Sequence, residues 1–156
     1  MGNGTGFKVE GMAEFLAALR RFPQATRRGA ARGMKRGMLR VQRAARENAP
    51  VDRGGLRQSI AEVVRGIGVL VRGIVGSAKH YAPYMEFGTK PYWPPIKALE
   101  VWARRHGTSA FLVARAIATH GIKARRFLRR AFEGEIDNVM QDLRDEIGRE
   151  IEGLGR

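Results

Sequence analysis

The residues able to carry covalent or metal chemistry are few and scattered. His80, His106 and His120 have no metal-ligand spacing, and no His-Glu-x-x-His or paired metal-binding motif occurs. Ser59, Ser77 and Ser109 lack the strand-turn-helix context of a nucleophile elbow. Glu133 and Glu135 stand two apart, a spacing that turns them to different faces of a helix. Cysteine is absent, so no disulfide or thiolate metal site can form, which is compatible with a reducing compartment. The expectation is a chain with no catalytic, metal or cofactor site, and not an enzyme.

What the chain offers in quantity is positive charge. Between Pro23 and Glu47 it carries Arg27, Arg28, Arg32, Lys35, Arg36, Arg40, Arg43 and Arg46 with hardly an acidic residue among them. Like charges at i and i+4 cost an isolated helix a few tenths of a kcal/mol per pair, roughly 1 kcal/mol in all here. Three readings of this basic face stay open: a solvated surface, an acidic protein partner, or the phosphates of DNA bound without sequence preference. The net charge is +14, distributed unevenly. Residues 1–132 hold 26 basic and 7 acidic side chains, whereas 133–156 hold 3 basic and 8 acidic. That asymmetry suits subunits meeting head to tail, the acidic helix of one against the basic face of the next, because complementary potentials set orientation.

The elements that must position these groups follow from periodicity. Residues 1–6 read as a flexible N-terminus, since no strand precedes the glycines and no Gly-Lys-Ser/Thr follows them. Phe7-Lys8-Val9 reads as a short edge strand, and Met12 to Leu19 as a short amphipathic helix broken at Arg21-Phe22-Pro23. Pro23 then starts a long helix whose apolar stripe is Ala30, Met34, Met38, Val41 and Ala45. Gly29, Gly33 and Gly37 lie four apart, a weak signal for close helix approach outside a membrane. Asn48 to Gly55 stops the helix, with Pro50, Asp52 and the Gly54-Gly55 pair as turn residues, and Leu56, Ser59 and Ile60 make one short helical turn. Residues 61–76 read as a β-hairpin, with Gly66-Ile67-Gly68 at its break and Gly73 and Gly76 as bulge and strand end. Tyr81, Tyr84, Met85 and Phe87 supply large anchors for a core or a subunit interface. Glu86 among them needs a partner if buried, and an arginine of the basic helix is the expected one.

Residues 91–124 form a helical insert after Pro91-Tyr92-Trp93-Pro94-Pro95. One helix runs from Ile96 to His106, a second is capped by Ser109 and ends at Gly121, and the pair is expected to lie on the sheet. The last segment carries Phe132, Ile136, Val139, Met140, Leu143, Ile147, Ile151 and Leu154 at spacings near three and four, a long C-terminal helix that is acidic on its other face. The fold class is therefore α+β: a small antiparallel sheet packed with a long basic N-terminal helix, a helical insert and a long acidic C-terminal helix. At 156 residues and 44% hydrophobic content the whole chain, 1–156, suits one domain. No apolar run of about eighteen residues and no signal peptide occurs, so the expectation is neither a membrane span nor secretion by that route.

The pattern Ala49-Pro50-x-x-x-Gly-Gly55-Leu56-Arg57-x-Ser59-Ile60, followed by Tyr81-Ala82-x-Tyr84-x-Glu86-Phe87-Gly88-Thr89, resembles the neck or minor tail-component family of lambda-like long-tailed phages and prophages. The resemblance extends to Phe7-Lys8-Val9-Glu10-Gly11 and to Gly121 through Ala131. This chain has two glycines at 54–55 where many relatives have one, and a longer insert after Thr89. The resemblance implies a structural virion protein at the head-tail joint, of the head-tail joining or tail-completion type. Its partners would be further copies of itself in a ring, sixfold by analogy with such particles, and the neighbouring neck and tail proteins. It would reside in the virion after assembly in the host cytoplasm, with DNA passing nearby. The alternative is a sequence-independent nucleic-acid-binding module using Arg28, Arg32, Lys35, Arg36, Arg40 and Arg43. Of the two possible pairings of the acidic and basic helices, within one subunit or between subunits, the intersubunit one is favoured here.

Overall fold

The computed structural model describes the backbone of residues 12–67 and 70–153, and the side chains of 23–66 and 70–153. Its elements are α1 (Met12–Asn48), α2 (Gly55–Ser59), β1 (Ile60–Ile67), β2 (Leu70–Ser77), α3 (Ala82–Phe87), α4 (Ile96–Arg105), α5 (Ala110–His120) and α6 (Phe127–Glu152). The α+β class expected from the sequence is the one found. The expectations for residues 1–6, Phe7-Lys8-Val9 and Leu154 lie outside the described residues.

Helix α1 has 37 residues, which at 1.5 Å each is about 55 Å. It continues through Pro23, so neither the break at Arg21-Phe22-Pro23 nor a start at Pro23 is found. A proline removes one backbone hydrogen bond and need not end a helix whose flanks are rich in Ala, Leu and Arg. The helix stops at Asn48, where Pro50 disfavours a helical conformation for Ala49. Gly54 at φ 75° then allows the reversal into α2.

Strands β1 and β2 pair antiparallel in one register, Ile60↔Ser77, Val63↔Ile74 and Ile67↔Leu70, one residue longer at each end than expected. Gly73 is no bulge, because it pairs with Val64 in an unbroken ladder. Its role is space: a Cβ there would meet the Met34 and Met38 side chains at 2.5–2.6 Å. The inner face of the hairpin thus lies directly on α1, as the sequence suggested.

Helix α6 runs antiparallel to α1, and three glycines set the approach. A Cβ on Gly29 would fall 2.6 Å from the Ile147 backbone, one on Gly33 2.7 Å from the Asp142 and Leu143 backbone, and one on Gly37 2.8 Å from Val139. The backbones therefore approach closely at Gly29 and Gly33, and Gly37 receives the Val139 side chain, along a shared four-residue step, the commonest way in which helix ridges interlock. Of the expected α1 stripe, Met38, Val41 and Ala45 are buried, while Ala30 and Met34 are half-buried beside the glycine face. On α6, Phe127, Ala131 and Val139 are buried, but Phe132 and Met140, expected inside, are exposed. Phe132, a heptad before Val139, shares its side of α6 but borders an open groove instead of a packed neighbour and so stays exposed.

The insert departs from expectation in placement. Helices α4 and α5 pack on each other, with Trp93 edge-on to Phe111 at 5.9 Å, and they do not lie on the sheet. Trp102 and His106 instead sit beside the loop from Pro50 to Leu56. Arg105 Nη2 donates to Asp52 Oδ2 at 2.7 Å across the same gap. Ser109 occupies the cap position of α5 without a side-chain hydrogen bond.

Candidate assembly site

The motif residues divide by direction. Glu86, only 4% exposed, finds no arginine, which corrects the expected pairing. Its Oε2 accepts from the Leu128 backbone N–H at 2.8 Å and its Oε1 from that of Arg129 at 3.0 Å. These are orphan donors of the first turn of α6, where the helix dipole also favours a carboxylate. The residue at the cap position itself, Arg126, stands at φ 52° and makes no side-chain cap. Glu86 therefore caps a helix that begins some forty residues later in the chain, and backbone bonds from Arg125 to Met85 and from Arg126 to Glu86 hold the junction.

Gly88 and Thr89 complete it. The Thr89 N–H donates to the Ile122 carbonyl at 2.9 Å, while Thr89 Oγ1 accepts from the Ile122 N–H at 2.9 Å. Gly88 at φ 75° has the 122–124 backbone against it, closer than any side chain permits. In the earlier block, Leu56 is buried, and Ser59 Oγ lies 2.7 Å from both the Leu56 carbonyl and Ser77 Oγ, tying α2 to the base of the hairpin. Tyr81 and Gly55 face each other, and Asp52 bridges to Arg105. Pro50 is half-buried where α1 ends, and Arg57 is exposed.

The outward members are Tyr84 and Phe87, the latter 79% exposed. Phe87 borders an apolar groove of about 560 Å³ between β2, α3 and the start of α6, lined by Met38, Val41, Val75, Leu128 and Phe132 among others. An exposed aromatic on the lip of an apolar groove is the composition of a protein-binding surface.

The basic face is occupied from within. Glu150 accepts from Arg28 Nε at 3.0 Å and from Arg32 Nη2 at 2.7 Å; Glu146 pairs with Arg36 Nη1 at 3.0 Å; Asp142 pairs with Arg40 Nε at 2.8 Å. Lys35 pairs with Glu62 of β1, one of whose oxygens, Oε2, is buried without a hydrogen-bond partner. The favoured intersubunit pairing is thus corrected: these acidic and basic residues meet inside one chain. The hydrogen bond and charge of Asp142 hold the Arg40 guanidinium above its ordinary pKa. The sequence signal for this was the match between two four-residue ladders, Arg28-Arg32-Arg36-Arg40 and Asp142-Glu146-Glu150. Arg43 is exposed with no carboxylate partner among the described residues, and Arg46 covers the Ile60 carbonyl at the start of β1 at 2.8 Å.

Residues 13–88 match the model of the HK97-gp10-like family, described as "Bacteriophage HK97-gp10, putative tail-component". No curated protein and no solved structure matches the chain significantly. The match spans α1, the hairpin and the motif as far as Gly88, and over that stretch the chain is similar to a phage tail component. The insert and α6 lie beyond it, yet Glu86, inside the match, anchors α6 from across the boundary. Among the described residues no helix is long and apolar enough to cross a membrane.

Proposed function

We propose that the protein is a non-catalytic subunit of the phage neck or tail-completion complex, joining the tail to the DNA-filled head as a ring of copies assembled in the host cytoplasm. The observation that supports this most is the exposed Phe87 beside an apolar groove, within a segment that matches a tail-component family. Such a surface serves protein association, as a subunit of a ring requires. The sixfold order is taken from analogy with phage particles. Electron microscopy of intact particles carrying a tagged copy tests the reading: density at the head-tail joint is expected, and its absence from joint and tail alike would falsify it.

The nucleic-acid reading loses its main argument, since five of the six basic-face residues have carboxylate partners in their own chain. Gel shifts of the purified protein at two salt concentrations are expected to show no tight, steeply salt-dependent binding.

A further inference from the structure

A ring needs two different patches on each subunit, one fitting the other on the next copy, because a self-complementary patch closes at a dimer. The apolar groove is one such patch. The outer face of the hairpin has the properties of the other. It presents Val63, Ile74 and Leu70 to solvent, and Leu70, at 72%, is the most exposed aliphatic side chain described. Arg65 and Arg72 stand directly opposite each other across the strands on that face, with no carboxylate partner among the described residues. Like charges so placed destabilise a ladder unless an anion joins them.

The groove offers what this face lacks. Its lining is mainly apolar, with Glu86 and Arg129 its charged members, and Glu133 and Asp137, both exposed, lie one and two turns beyond Arg129 on α6. Glu133 is held by Arg129 at 2.7 Å in a solvent-exposed pair, which a second cation can share. A copy with net charge +14 repels its neighbour except where such unburied carboxylates meet cations.

Resting on the ring reading above, we infer that the hairpin of one copy seats Leu70 and Ile74 in the groove of the next, with Arg65 and Arg72 toward Glu133 and Asp137. The chain contains no cysteine, so an engineered pair is diagnostic. Leu70→Cys combined with Phe87→Cys, oxidised mildly, is expected to give covalent dimers, trimers and larger species on a non-reducing gel, while each single variant gives none beyond a dimer. Leu70→Asp is expected to weaken association at least tenfold by sedimentation, with the unfolding midpoint of the subunit unchanged within about 2 °C. Wild-type oligomers whose Leu70→Asp variant associates equally well, or a double-cysteine variant that stays monomeric on the gel, overturn this contact and leave the ring standing. A wild type that remains monomeric at 100 µM counts against the ring reading itself and removes this contact with it.

Discussion

The α1–α6 seam and the α4–α5 insert are both helix pairs, but they are held by opposite means. The seam is tight because it lacks side chains where it is closest, at Gly29, Gly33 and Gly37, and its charges are ordered into a ladder whose carboxylates are nearly buried. The insert keeps its aromatics, Trp93, Trp102 and Phe111, at or near the surface, and the one salt bridge described between it and the rest of the chain is Arg105 to Asp52. Backbone contact gives rigidity with little apolar area, whereas exposed aromatic area without backbone contact leaves a region ready to meet something else. The first region fixes the subunit, and the second carries surface.

The sharpest way to break this contrast is at the seam. Gly33→Val would drive a branched side chain into the Asp142 and Leu143 backbone, which cannot move aside as a side chain can. A loss of about 3 kcal/mol is expected, the upper range for overpacking, or roughly 10 °C in thermal unfolding. Glu86→Ala comes next. It leaves two first-turn N–H groups of α6 unpaired in a part-buried site, and about 2 kcal/mol should be lost in chemical denaturation, with the m-value retained. Third, Asp142→Lys should lower the melting temperature of the lone subunit measurably, because a buried carboxylate facing Arg40 becomes a second cation. Asp145→Lys, on the exposed side of α6, should leave it unchanged. Equal effects of the two would remove the distinction between the inner and outer faces of α6. The smallest effect is expected at Arg105→Ala, an exposed pair worth about 0–1 kcal/mol. Global stability should hold while limited proteolysis cuts the insert faster.

Much of this architecture was legible in the sequence. The two long helices, the hairpin and the helical insert follow from periodicity and turn residues, and the motif from Tyr81 to Thr89 was visible as a unit. What could not be read was which residue turned inward, because that depends on a partner far along the chain. Glu86 looked like a carboxylate in search of an arginine, since a helix N-terminus offers backbone donors that no side-chain pattern records. Phe132 and Met140 fit an apolar stripe by spacing, a heptad before Val139 and Ile147, and only the neighbouring elements decide whether that side of α6 is covered at each turn. Pro23 misled for a related reason: it is a local stop signal in a helix whose flanking residues favour continuation.

The ladder of arginines also has a consequence in time. Arg40 meets Asp142 across 102 residues and Arg28 meets Glu150 across 122. At about 5–20 residues per second, a ribosome makes the basic helix several seconds or more before its counter-charges exist. Through that interval the nascent chain is a polycation beside ribosomal RNA, and its neutralisation is an event that coincides with the closing of the fold.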